Sequence, residues 1–329
     1  MIISRTPYRI SFFGGGTDYP VWYNDHGGLV LCATINKYSY VTVRKLPPFF
    51  GYKNRIRYYK TEETQTIHEI LHPSVREAAL YLGVENGLEV VHAGDLPAQS
   101  GLGSSSTFTV GLLNALHGLK NYMPTKRELA LSAIHIEQKL IGEAVGSQDQ
   151  TAAAFGGLNL INFSNSRTID VDPVLISKDR LAELHNHLLL CFTGFARTAS
   201  SVAQIQIEQT SRKVHELETM MELCKEALSV LLDSNISILE FGRLLDRQWS
   251  IKRKLTEVIS NKEIDEIYDA GISAGAVGGK LLGAGSGGFM LFLAPPEKHQ
   301  GIKDRLNGKL FVPFRFESTG SKIIYFSHD

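Results

Sequence analysis

The chain has 329 residues, too many for one ordinary core, and at roughly 100–200 residues per domain the length points to two domains. Thirty-four basic residues offset thirty-four acidic ones, giving a formal charge of zero at 43% hydrophobic content. That balance excludes a protein that works on nucleic acid or a membrane surface by bulk charge, so any anionic ligand has to be held locally.

The N-terminal half alternates short β-branched runs with helical patterns. IISRTPYRISFF, LVLCATINKYSYVTVRK, NRIRYYK and GLEVVHAG read as strands, and HPSVREAALYLG reads as a helix. From Ser104 the period changes: Phe108, Leu112, Leu113, Leu116 and Leu119 form one helical stripe. A second helix is expected from Lys126 to Ile141, opened by the turn residues Pro124 and Thr125. After Gly156 and Gly157 come the strand LNLINFS and the polar stretch SNSRTIDVDP, where the boundary between lobes 1–170 and 171–329 is placed. The second half opens on the strand HLLLCFTG and continues with helical patterns such as Val214, Leu217, Met221, Cys224 and Leu228. It closes on the strand candidates FMLFLA, FVPFRFE and KIIYFS. Mixed strands and helices in each half make the fold class α+β, in two lobes.

Leu188 to Phe192, one of the longest apolar runs, is far too short to span a bilayer, and MIISRTPYRI has no apolar leader core. Cys32, Cys191 and Cys224 sit in apolar contexts without CxxC spacing, which reads as buried thiols rather than metal ligands or disulfides. The expected compartment is the cytoplasm.

The strongest chemical signal is DLPAQSGLGSSSTFTVGLLNAL, Asp95 to Leu116. Small residues from Ser100 to Ser106 lead straight into the amphipathic helix, leaving its first amides and positive dipole end uncovered for a phosphate. Gly101 and Gly103 let backbone approach the ligand. The hydroxyls of Ser104, Ser105 and Ser106 can cap the helix, donate to phosphate oxygens or bind a hard cation. A plain serine cap behind a flexible loop is the alternative, though a cap needs one serine and not three.

Two carboxylates stand out. Glu137 falls on the apolar face of its helix with Ala130, Ala133, Ile134, Leu140 and Ile141, so it needs a partner, either a metal ion or a basic side chain. Asp149 lies in GSQDQTAAAFGG, where the residues alone suit a helix cap as well as catalysis.

No GxxxxGK[ST] occurs, and neither an HRD nor a DFG triplet appears. Gly283, Gly285 and Gly288 match GxGxxG, but they follow a helical pattern and precede a strand, the reverse of a dinucleotide fingerprint. PAQSGLGSSS, Pro97 to Ser106, instead resembles the second motif of the GHMP small-molecule kinases. PYRISFFGGGTDY is similar to their first motif and KLLGAGSGGFMLFL to their third, in the right order across almost the whole chain. Ser106 departs from the alanine usual in the family, a small-for-small change.

The resemblance implies a two-lobed fold, with an N-terminal ribosomal-protein-S5-like lobe and a C-terminal ferredoxin-like lobe. It also implies ATP and Mg²⁺ as cofactors. ATP phosphates would lie on Pro97, Ser100, Gly101, Leu102, Gly103, Ser104, Ser105 and Ser106, with Mg²⁺ between Ser105 and Glu137. Asp149 would act as base or orienting group for the accepting hydroxyl. Arg9, hemmed in by Tyr8 and Ile10, would keep Asp149 ionised and stabilise the transition state.

Galactokinases carry Gly-Glu-His-Thr-Asp-Tyr in the first motif, where this chain reads Gly14, Gly15, Gly16, Thr17, Asp18, Tyr19. Asp18 is retained, and the resemblance assigns it to ring hydroxyls of a sugar. Gly15 and Gly16 remove a charge and two side chains and expose amides, which suits a longer substrate with a distal phosphate. TPYRISFFGGGTDYPVWYNDHGG, TINKYSYVTVRKL and SGLGSSSTFTVGLLNAL are similar to the bacterial heptose 7-phosphate kinase subfamily. The implied reaction moves the γ-phosphate of ATP to the anomeric hydroxyl of D-glycero-D-manno-heptose 7-phosphate, giving the 1,7-bisphosphate used in nucleotide-heptose synthesis.

Lys37, Arg44 and Arg197 are candidates for the distal phosphate, with Arg197 equally readable as an exposed loop arginine. Gly283 and Gly285 would close over the transferring phosphate from the second lobe. Two alternatives stay open: another sugar 1-kinase of fucokinase or galactokinase type, and a non-catalytic sugar-binding regulator. A homo-oligomer also stays open.

Overall fold

The β-branched and aromatic residues of Ile2–Phe13 and Gly28–Lys45 form two long antiparallel strands, β1 and β2, joined through the glycine turn and a short helix, α1 (Pro20–His26). This computed structural model describes residues 1–164, 168–194 and 199–327. The first lobe continues with β3 (Asn54–Arg57), β4 (Thr61–Thr64), α2 (Pro73–Tyr81), β5 (Leu88–Gly94), α3 (Ser104–Leu119), α4 (Lys126–His135), α5 (Gln148–Phe155), β6 (Leu158–Phe163) and β7 (Ile169–Pro173). The second lobe contains α6 (Lys178–Asn186), β8 (Leu188–Phe192), α7 (Ala199–Gln209), α8 (Val214–Leu232), α9 (Ile238–Lys252), α10 (Lys262–Ser273), β9 (Gly278–Leu281), β10 (Phe289–Leu293), α11 (His299–Arg305) and β11 (Leu310–Phe311). The last strand, β12 (Lys322–Phe326), returns to the first lobe.

The first sheet runs β12-β1-β2-β5-β3-β4. β2 is long enough to serve two partners on one edge: Gly28–Ala33 pair with β6, which carries β7, and Ser39–Lys45 pair with β5. KIIYFS therefore pairs with β1 rather than completing the second lobe, and the first sheet draws on residues at both ends of the chain. The second sheet, β11-β8-β10-β9, is antiparallel throughout. FVPFRFE contributes only Phe311 to it, as the end of β11, because Pro313 has no N–H to extend the ladder; Phe316 instead bridges to Ile35 of β2.

Helix α3 lays Leu112, Leu113 and Leu116 against Val41, Val43 and Val90 of the first sheet. The α8 face is Leu217, Met220, Cys224, Ala227 and Leu231, so Met221 and Leu228 of the expected stripe flank the buried seam rather than form it. Phe241 of α9 wedges edge-on against Phe12 and Phe13 at 5.4 and 5.0 Å, fixing α9 beneath the end of β1. Lys280 of β9, wholly buried, donates to the carbonyls of Ser11 and Phe12 at 2.8 and 2.9 Å. These contacts hold the second lobe to the strand end that leads into the Gly14–Gly16 turn. The three cysteines are buried and free, and among the described residues no helix is long and apolar enough to cross a membrane.

Candidate active site

Ser100–Gly103 turn the chain into α3. Gly101 and Gly103 take φ of 79° and 75°, a region that L side chains rarely adopt, and the wholly buried Leu102 anchors the turn. The first helical bond runs from Thr107 N–H to Gly103, so the amides of Ser104, Ser105 and Ser106 precede the helical ladder at the cleft wall. The Ser104 hydroxyl accepts from Gln99 N–H at 3.0 Å and closes the loop on itself. The third glycine motif sits directly against it: a Cβ on Gly101 would lie 2.4 Å from the Leu282 carbonyl oxygen, and one on Gly283 2.5 Å from Gly101 Cα. This motif is the turn of the β9–β10 hairpin, so a strand precedes it where the sequence suggested a helix.

Arg9, on β1 and 4% exposed, grips Asp149 in the first turn of α5. Its Nε and Nη2 donate to the two carboxylate oxygens at 2.7 Å each, and Nη1 donates to the Gly101 carbonyl at 2.7 Å. Asp149 is thus an Arg9 partner and not a helix cap. Asp18 is buried opposite, accepting from the amides of Gly16 at 2.9 Å and Gln148 at 3.3 Å. Burial pushes its carboxyl above the usual range, the Gly16 amide opposes that, and the charge of Asp149 adds to it. The Gly16 amide is therefore spent on Asp18 rather than open to an anion.

Glu137 lies in a π-helical turn, Ile136–Ile141, that extends α4; the expected single helix is divided there. Its side chain is wholly buried among neutral groups: the Ser106 hydroxyl at 2.7 Å and the Gln150 amide both donate to Oε2, and the Thr109 hydroxyl also acts on the carboxylate. Oε1 has no hydrogen-bond partner, and burial pushes the carboxyl up to about 7 despite the hydrogen bonds it accepts. A carboxylate with one orphaned oxygen beside a phosphate loop fits a magnesium ion, which takes one or two carboxylates together with substrate phosphates. The hydroxyl touching Glu137 belongs to Ser106, one residue beyond the Ser105 expected there. Successive helical residues point about 100° apart, which leaves Ser105 exposed at the cleft wall.

The cleft has a volume of about 600 Å³. Past the serines, Tyr58, Tyr59, His72, His92 and Phe108 wall one end, with the His72 and His92 rings each 4.9 Å from that of Phe108. At the other end lie Gly15, Gly16, Asp18, Gln148 and Lys252. Lys252, the last residue of α9, is 4% exposed and donates from Nζ to the Gly283 carbonyl at 2.7 Å. Neither the aromatic wall nor Lys252 stood out in the sequence, since no motif marks a residue that a distant helix delivers.

The other expected ligands divide. Gly283 lines the cleft, whereas Gly285 packs on Ile259. Gly14 sits against the Leu29 carbonyl and Thr17 bonds back to Gly14, so both shape the turn from behind. Pro97 is exposed outside the cleft lining, and Ser100 is buried beneath it. Lys37 does not line the cleft, and Arg44 is drawn to Glu89 at the far end of β2; neither reaches the Gly14–Gly16 turn. Arg197 lies outside the described residues.

The GHMP kinases N terminal domain matches residues 69–157, and the GHMP kinases C terminal domain matches residues 220–311. The chain is 30% identical to a D-glycero-alpha-D-manno-heptose 7-phosphate kinase of Campylobacter jejuni over 90% of each chain. It is 27% identical to a bifunctional fucokinase/GDP-fucose pyrophosphorylase of Arabidopsis thaliana, over 91% of this chain and 30% of that one. A crystal structure of a D-glycero-D-manno-heptose 1-phosphate kinase from Bacteroides thetaiotaomicron superposes with a TM-score of 0.81 at 24% identity, covering all of both chains.

Proposed function

The chain belongs to the GHMP kinases and is a phosphotransferase, a sugar kinase of GHMP type; from that premise we propose that it phosphorylates the anomeric hydroxyl of D-glycero-D-manno-heptose 7-phosphate with ATP. The observation that carries this reading is the Arg9–Asp149 pair, which sets a carboxylate between the loop of the second motif and Asp18. The room left by Gly15 and Gly16 beside Asp18, and the likeness to the Campylobacter enzyme, support a phosphorylated heptose as acceptor.

In this mechanism the amides of Ser104 to Ser106 bind the nucleotide phosphates, and the aromatic wall from Tyr58 to Phe108 receives the base. Glu137 and the neighbouring serines would hold magnesium, which when bound would supply positive charge to the nucleotide phosphates. Asp18 accepts hydrogen bonds from the sugar and orients its C1 hydroxyl toward Asp149. As the C1 oxygen forms its bond to the γ-phosphorus and the bond to the β-phosphate oxygen breaks, Asp149 takes the hydroxyl proton. Arg9 keeps that carboxylate aimed and offsets charge on the phosphoryl group.

The test is a panel of free and phosphorylated hexoses and heptoses assayed for ADP release, with phosphorus NMR on the product. A new phosphate resonance coupled to the anomeric proton of the heptose 7-phosphate is expected. Turnover of unphosphorylated sugars alone would move the enzyme to a fucokinase or galactokinase type of activity.

A further inference from the structure

Lys252 enters the cleft from the second lobe, where the Asp18 and Asp149 charges act on it but, among the described residues, no carboxylate comes within ion-pair distance. Arg9 and Lys252 are the two arginine or lysine residues that line the cleft among those described. Arg9 has Nε, Nη1 and Nη2 all engaged with Asp149 and Gly101. Lys252 Nζ makes one hydrogen bond, to the Gly283 carbonyl, and among the described residues no carboxylate forms an ion pair with it. An ammonium buried in this way is costly unless an anion completes its surroundings.

The space beside it is the sugar loop. A Cβ built on Gly15 would lie 3.9 Å from Lys252 Nζ, 3.3 Å from Ser11 Oγ and 3.8 Å from Gln148 Oε1, so the absent side chain keeps a polar recess open in front of the ammonium. The nearby Asp18 carboxylate is held by the Gly16 and Gln148 amides. Lys37 and Arg44 do not line this recess.

We infer that Lys252 receives the phosphate carried by the acceptor sugar, donating a charge-assisted hydrogen bond to a group seated over Gly15. The inference rests on the reading of the acceptor as a sugar phosphate. It explains why a lysine without a carboxylate partner is buried at the end of α9: its anion arrives with the substrate. Because the same Nζ holds the Gly283 carbonyl, the acceptor phosphate and the loop that packs on Gly101 meet at one side chain.

The experiment compares kcat/KM for heptose 7-phosphate with kcat/KM for the unphosphorylated heptose in the wild type, in Lys252→Met and in Lys252→Arg. ATP affinity and thermal melting on the same preparations report folding. The ratio is expected to fall about 100-fold in K252M, where the donor and charge are gone, and to stay within about tenfold of wild type in K252R. An unchanged ratio in K252M would overturn the assignment, and an equal loss on both acceptors would in addition place Lys252 on the phosphoryl group in flight. A wild-type enzyme that prefers the unphosphorylated sugar removes the sugar-phosphate reading itself, before any variant is compared.

Discussion

One guanidinium holds both carboxylate oxygens of Asp149: Arg9 Nε and Nη2 each lie 2.7 Å from them, and the third nitrogen of Arg9 reaches Gly101 at the same distance. The proposed base and the Ser100–Ser106 loop are therefore aligned by a single buried side chain. Asp149→Asn keeps the shape but cannot accept the hydroxyl proton. It should lower kcat by about 10²–10⁴ while leaving ATP affinity, measured by calorimetry, within about threefold. An unchanged kcat would remove Asp149 from the proton transfer.

Gly283 and Gly101 touch backbone to backbone. Gly283→Ala places a methyl 2.5 Å from Gly101 Cα at a φ of 78°, so either the hairpin or the phosphate loop has to move. The expected outcome is a KM for ATP raised at least tenfold, with a stability loss of about 1–3 kcal/mol in urea unfolding. A variant with wild-type nucleotide affinity would show that the two loops do not depend on each other.

Burial lowers the Lys252 ammonium from its ordinary 10.5 to about 8, with Asp18 the strongest opposing charge, Arg9 adding to the shift and Asp149 opposing it. Lys280, on β9, also faces this region. The folded protein holds this proton less tightly than the unfolded chain, so the cost is full below pH 8 and is relieved as pH rises toward 10.5. K252M should therefore melt several degrees above the ligand-free wild type at pH 7, a cost of about 3 kcal/mol at most being partly offset by the lost bond to Gly283. The gap should close toward pH 10.5; a gap that is constant with pH would mean that the folded enzyme holds the Lys252 proton as tightly as the unfolded chain does, so that burial does not shift it. The KM for the phosphorylated acceptor should rise above pH 8 in the wild type as the ammonium is lost.

Tyr59 is 83% exposed yet borders the aromatic end of the cleft. Tyr59→Ala should raise the KM for ATP by about three- to tenfold and leave both the melting temperature and the acceptor KM unchanged. A shift in acceptor KM instead would reverse the orientation of the two substrates.

Much of the site was legible because each motif is contiguous. SGLGSSS announces a helix start with small residues, and the structure places those amides at the cleft wall. Glu137 was recognisable by its phase on an apolar face, and it is wholly buried. Asp149 shows the limit, since a cap and an ion-paired carboxylate look alike until Arg9 is brought in from β1, 140 residues away. Met221 and Leu228 mark a second limit: apolar residues flank the buried seam of α8 as well as form it.

By itself the sequence determined the three glycine-rich turns, the carboxylates beside them and the zero net charge that requires an anion to be bound locally, because these depend on neighbours within a few residues. Only the tertiary structure decided that Ser106 rather than Ser105 meets Glu137, that Arg44 turns to Glu89, that KIIYFS returns to β1 and that Lys252 faces Gly15. Each of these depends on helix phase and on which surfaces bury together, and Phe241 packed on Phe12 and Phe13 is the contact that carries α9, and Lys252 with it, to the Gly14–Gly16 turn.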